Sequence, residues 1–145
     1  MKTRTLKALT EFTAAAVLSF SPMFAGAADA PPKSGAKATP LLTEDLPDIA
    51  GKEGLMLTVE YPPGGSSPPH RHNADVFVYV LEGSVIMQVE GKEPVTLKPG
   101  QTFHEKPTDI HKTSANASKT APAKFLVFIV KDKGKAVTEA VHEGH

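Results

Sequence analysis

His70 and His72 are separated by one residue and stand at the mouth of a β-prone run, Asp75-Val76-Phe77-Val78-Tyr79-Val80-Leu81, with a lone His111 downstream. A strand sends residues i and i+2 to the same face, so this spacing presents two imidazoles side by side. Two neighbouring imidazoles and a third from a facing strand make an open metal site. Imidazole is the commonest ligand for first-row divalent ions, and three of them leave coordination positions free. Such an ion takes an anionic chelating molecule and O2, or lowers the pKa of a bound water. The expected ligands are His70, His72 and His111, and the expected cofactor is one divalent transition metal: Fe, Mn, Zn, Ni or Cu. An isolated His-x-His on a proline-rich loop is more often a surface pair. Here the pair leads into a strand whose alternation reads as buried.

The elements that must position these residues are short strands. Leu55, Leu57, Val59 and Tyr61 form one face of a period-two pattern, with Met56, Thr58 and Glu60 on the other. Residues 62–69, PPGGSSPP, form a stiff, turn-rich loop leading to the histidines. Further strands are expected at Asp75–Leu81, Val85–Val89, Val95–Leu97, Thr102–Glu105, from His111 onward and at Phe125–Val130, with Gly83, Gly91 and Gly100 in the turns. Strands at this spacing argue for an all-β sandwich or barrel and against a βαβ fold. Alternation places Val76, Val78 and Val80 inside with the histidines. Phe77, Tyr79 and Leu81 then face a second layer or a dimer partner.

The chain has 145 residues. Lys2, Arg4 and Lys7 precede a mostly apolar stretch from Phe12 to Phe24, and Ala25-Gly26-Ala27 offers an A-x-A cleavage pattern. Residues 1–27 therefore read as a secretory signal peptide, and the mature protein is expected in the periplasm or secreted. Residues 28–40, rich in Ala, Pro and Lys, read as a flexible leader, 41–132 as the barrel and 133–145 as a tail. There is no cysteine, so neither disulfides nor a thiol nucleophile enters. The whole chain is formally neutral, and the signal segment carries three basic residues and one acidic, which leaves the rest near −2. No basic stripe suggests nucleic acid, and no charge run suggests a membrane surface for the mature form.

Gly64, His70, His72 and Gly83 fall in register with the first motif of the cupin family, G-x5-H-x-H-x3-E-x6-G, which this stretch resembles. Gly100 and His111 match a looser version of the second motif, G-x5-P-x-G-x2-H-x3-N. Lys106 stands at its proline, Thr108 at its glycine, and Asn116 arrives one residue late. The resemblance covers Leu41 to Lys131 and implies a double-stranded β-helix (jelly-roll-like) barrel with the metal inside, often dimeric. A homodimer is therefore expected.

The departure from the family pattern is Val76, at the position of the family's glutamate. Asp75 is adjacent but points to the opposite face of a regular strand unless a bulge re-aims it. Glu105 is the better replacement and the candidate fourth ligand, and a site with no carboxylate ligand is the remaining alternative. His104 and Glu105 are neighbours, so one looks inward and the other outward. Arg71 should point to solvent. Tyr79 as a catalytic phenol would need the other face. Asn116-Ala117-Ser118 is a lone glycosylation sequon, and His142 and His145 lie in a frayed tail.

Two functions follow. In the first, the chain is an exported metalloenzyme on a small molecule; the resemblance implies dioxygenase, isomerase or decarboxylating chemistry. A three-His site without the glutamate is similar to that of thiol dioxygenases, although nothing beyond the ligands supports that substrate. In the second, the same barrel is a non-catalytic module that binds a small ligand or metal. No catalytic acid or base announces itself beyond Glu105 and His104.

Overall fold

The computed structural model describes residues 35–141. The expected signal peptide, most of the leader, and His142 and His145 lie outside the described residues. Within them the chain is all β, with no helix. The strands are β1 (Lys37–Asp45), β2 (Lys52–Tyr61), β3 (Ser66–Ser67), β4 (His70–Arg71), β5 (Asp75–Glu82), β6 (Val85–Val89), β7 (Val95–Leu97), β8 (Thr102–Glu105), β9 (Ile110–Asn116), β10 (Ala123–Asp132) and β11 (Glu139–Ala140). They form two antiparallel sheets, ordered β1-β2-β10-β5-β8 and β11-β4-β9-β6-β7, with β3 also on β9. This is the double-stranded β-helix.

The core follows from alternation. Val76, Val78 and Val80 of β5 pack with Phe125, Val127 and Ile129 of β10, Leu55, Leu57 and Tyr61 of β2, and Val85 and Met87 of β6. Strands β5, β6 and β10 give every second side chain to the interior, the pattern of a sheet wetted on one face. Phe77, Tyr79 and Leu81 are exposed on the outside, as alternation requires. Gly83 makes the β5–β6 turn with a φ of 69°, and a Cβ there would come within 2.5 Å of the Pro122 carbonyl oxygen. Both the backbone conformation and the close approach demand glycine.

Three expectations are corrected. Strand β1 begins at Lys37, inside the stretch read as a leader, and pairs with β2 from Lys37↔Glu60 to Asp45↔Glu53. Composition argues from side-chain burial, whereas β1 is held by its ladder and keeps nearly every side chain exposed. The tail contains β11, which pairs with β4. Finally, the histidines and Val76 do not share one strand. The chain bends at Asn73-Ala74, so β4 lies in one sheet and β5 in the other, and both face the same interior.

Candidate metal centre

Two cross-strand pairs assemble the site. His70 on β4 lies directly opposite His111 on β9. Val76 on β5 lies directly opposite Glu105 on β8. Paired residues on adjacent strands share a face, so each pair delivers its side chains to the same side. Val76 and Glu105 both point inward, each buried to 3% exposure or less. The carboxylate missing at Val76 is thus supplied from the neighbouring strand. Asp75 and His104 take the outer face, where they meet at 3.1 Å and His104 stacks on Phe77.

A bulge completes the arrangement. Thr113 pairs with Gln88 and His111 with Val89, so Lys112 is an extra residue in β9. Without it His111 and Ser114, three residues apart, would face opposite ways; with it both are buried inside, as is Asn116. The one-residue delay of Asn116 against the family pattern is absorbed here. Asn116 donates to the carbonyls of Pro62 and Ala121 and accepts from the Ser118 amide, tying two loops together. It is a buried structural residue, which removes the glycosylation reading.

One donor atom from each of His70, His72, Glu105 and His111 lies within 4.8 Å of the others. The Nε2 atoms of His70 and His72 are 3.2 Å apart, and Nδ1 of His111 is 3.0 Å from Oε2 of Glu105. The other nitrogens of the first two rings are committed. Nδ1 of His70 donates to the Pro68 carbonyl at 2.8 Å and Nδ1 of His72 to the Val137 carbonyl at 2.6 Å. A carbonyl can only accept, so both Nδ1 atoms carry hydrogen, and in neutral rings both Nε2 atoms present lone pairs. Two lone pairs face each other at hydrogen-bond distance. Oε2 of Glu105 and both ring nitrogens of His111 are buried without a hydrogen-bond partner. Leaving buried polar atoms unpaired costs about 1–3 kcal/mol each, and more for a charge. A cation among them would meet the two Nε2 lone pairs, Oε2 of Glu105 and one ring nitrogen of His111 at once, so the donor set fits a divalent transition metal. Burial is the largest influence on His70 and holds its pKa below the ordinary histidine value; the weaker pull of the Pro68 carbonyl opposes it. His70 is therefore kept in the form a metal needs.

Sequence reasoning missed the residues that brace this set. Besides the Val137 carbonyl, Glu139 on β11 pairs with Arg71 at 2.9 Å and bonds Asn73, gripping the chain on both sides of His72. Arg71 is exposed, as expected, but it is partnered. Nothing in a polar tail signals this from sequence, because the partner is 68 residues away. Tyr61 is one of four residues on the apolar face of the period-two pattern, and it is more than an apolar position. Its hydroxyl bonds Ser67 and Ser114, each at 2.7 Å, and it lines the cavity; burial, the dominant influence, raises its pKa.

The four metal-binding candidates sit on the wall of a cavity of about 650 Å³ whose other lining is mainly apolar. The described ends of the chain form part of that wall, through Ala36, Ala38 and Pro40 and through Val137, Thr138, Ala140 and Val141.

Residues 57–129 match the family model for the cupin domain, and the chain belongs to the cupin family. Nectarin-1 of Nicotiana plumbaginifolia is 36% identical over 77 residues, which are 52% of this chain and 33% of that protein. The chain thus spans about a third of that curated relative. Among solved structures, the DMSP lyase DddQ of Ruegeria pomeroyi DSS-3 is similar with a TM-score of 0.55 and 25% identity, covering 63% of this chain and 45% of the lyase. A cupin domain from Bordetella pertussis Tohama I shares the fold with a TM-score of 0.53 and 22% identity, covering 68% of this chain and 95% of that one.

Proposed function

We propose that this chain is an exported metallo-cupin that binds one divalent transition metal through His70, His72, His111 and Glu105 and acts on a small molecule in the adjoining cavity. The observation that carries the reading is the convergence of these four side chains with the buried Glu105 and His111 atoms left unpaired. The metal would supply Lewis acidity and open positions for an anionic ligand. The chain's own residues do the rest. The Pro68 and Val137 carbonyls fix two imidazoles in the ligating tautomer, and the apolar wall gives water few partners. Tyr61 stays protonated at neutral pH, so its hydroxyl is a hydrogen-bond partner on the cavity wall. Similarity to a DMSP lyase supports an enzymatic role. The basic N-terminus, apolar run and A-x-A pattern support export. The exposed Phe77 and Tyr79 on the outer sheet support a homodimer.

A non-catalytic binding module is the second reading. It is favoured by one observation: among the described lining residues, the groups able to move a proton are the metal-binding candidates themselves and Tyr61. The two are separated by elemental analysis and turnover assays on protein recovered from its native compartment. One metal per chain with turnover, both lost in His111→Ala, is the expected result. A metal-loaded protein that binds small ligands stoichiometrically and returns them unchanged would favour the module. Absence of metal from wild type, even after loading, would contradict the metallo-cupin reading and leave only a module for a small ligand.

A further inference from the structure

We propose that the cavity selects monoanionic oxygen chelators with an apolar alkyl or aryl body, in preference to dicarboxylates and sugars. This rests on the metal reading above and adds the class of ligand. The first argument is charge. A divalent ion held by three neutral imidazoles and the Glu105 carboxylate carries one net positive charge into the site. A monoanionic chelator cancels it. A dianion leaves one negative charge uncompensated, and none of the described lining residues is Lys or Arg. Burying an unpaired charge among apolar side chains is heavily disfavoured.

The second argument is the wall. Leu55, Leu57, Val78, Phe125, Val127 and Ile129 line the cavity beyond the metal-binding candidates. Five of these six belong to β2 and β10, whose inward faces run side by side in register, Val127 opposite Leu57 and Ile129 opposite Leu55. The cavity therefore has one ligating end and a continuous apolar flank. Such a flank rewards the burial of hydrocarbon in proportion to its area. It offers few partners to a polyol: the remaining polar lining side chains are Tyr61, Ser67 and Thr138, and the Tyr61 and Ser67 hydroxyls already bond each other. A sugar would leave most of its hydroxyl groups unpaired.

Calorimetric titration of the full chain loaded with zinc tests this, using acetohydroxamate, benzohydroxamate and oxalate. All three bite through two oxygens in a five-membered chelate ring. The first two chelate as monoanions, releasing a proton on binding, and differ in a methyl or phenyl body; the third is a dianion. Zinc content is measured first. Benzohydroxamate is expected to bind about tenfold or more tighter than acetohydroxamate, with oxalate weakest. In Leu57→Lys, which places a cation on the wall, oxalate should gain and benzohydroxamate lose. Should that variant fail to fold, the wild-type ranking alone decides. Oxalate binding as tightly as benzohydroxamate, or no gain from the phenyl body, on zinc-loaded protein would overturn the selectivity and leave the metal centre standing. Failure to take up zinc would instead contradict the metal reading and this inference with it.

Discussion

His104 and Glu105 are neighbours on β8, and each belongs to a histidine–carboxylate pair. Outside, His104 meets Asp75 at 3.1 Å with both side chains more than two-fifths exposed; inside, Glu105 meets His111 at 3.0 Å with both at 3%. The distances are alike and the consequences are not. An exposed pair of this kind is worth about 0–1 kcal/mol, because water already solvates both groups. The buried pair gives up that solvation, and Glu105 Oε2 and the His111 nitrogens gain no hydrogen bond in return. One step along a strand thus separates a surface contact from a constellation that could hold a metal ion. Burial and convergence with His70 and His72 make the difference.

The inner and outer groups should respond oppositely to truncation. His72→Ala and His111→Ala should lower metal affinity by upwards of about a hundredfold, beyond the loss typical of an outer-shell partner. His104→Ala should leave affinity unchanged, as metal titration followed by elemental analysis will read. Glu105→Gln should weaken binding about 10–100-fold, whereas Asp75→Asn should not. Because Val76 and Glu105 face each other across two strands, Val76→Glu alone sets two carboxylates together and should crowd the site. The double variant Val76→Glu/Glu105→Val returns one carboxylate to the ion and should recover much of the affinity lost in Glu105→Val. Failure of that rescue would mean that the two positions are not equivalent towards the ion.

A smaller effect is expected from the brace. Glu139→Gln removes the charge that holds Arg71 and Asn73 around His72, and metal affinity should fall by up to about tenfold with the fold intact by circular dichroism. The smallest effect concerns Tyr61. Burial raises its pKa above the ordinary value of about 10. The unfolded chain therefore loses this proton first, and stability should fall as pH climbs above about 10. Urea titrations at rising alkaline pH should show a shallower decline in Tyr61→Phe than in wild type.

Much of this was legible in the sequence, for identifiable reasons. Alternation at Leu55–Tyr61 and Asp75–Leu81 located the inner strands, because a half-wetted sheet has to alternate. The same rule made Glu105 and His104 face opposite ways. It could not choose between them, since the choice depends on the register that sets Glu105 opposite Val76. The bulge at Lys112 was visible only as a late Asn116. The roles of Val137 and Glu139 were hidden, because the contacts of a peptide carbonyl and a distant carboxylate leave no local pattern. Strand β1 was missed because backbone pairing does not require apolar side chains.

X-ray absorption on the zinc-loaded full chain counts the ligands on the ion. Three imidazoles and one carboxylate are predicted in wild type, with one imidazole fewer or no bound zinc in His72→Ala and an unchanged shell in His104→Ala. An unchanged shell in a His72→Ala/His111→Ala variant would place the ion elsewhere, with His142 and His145 the first alternative, and would contradict the account.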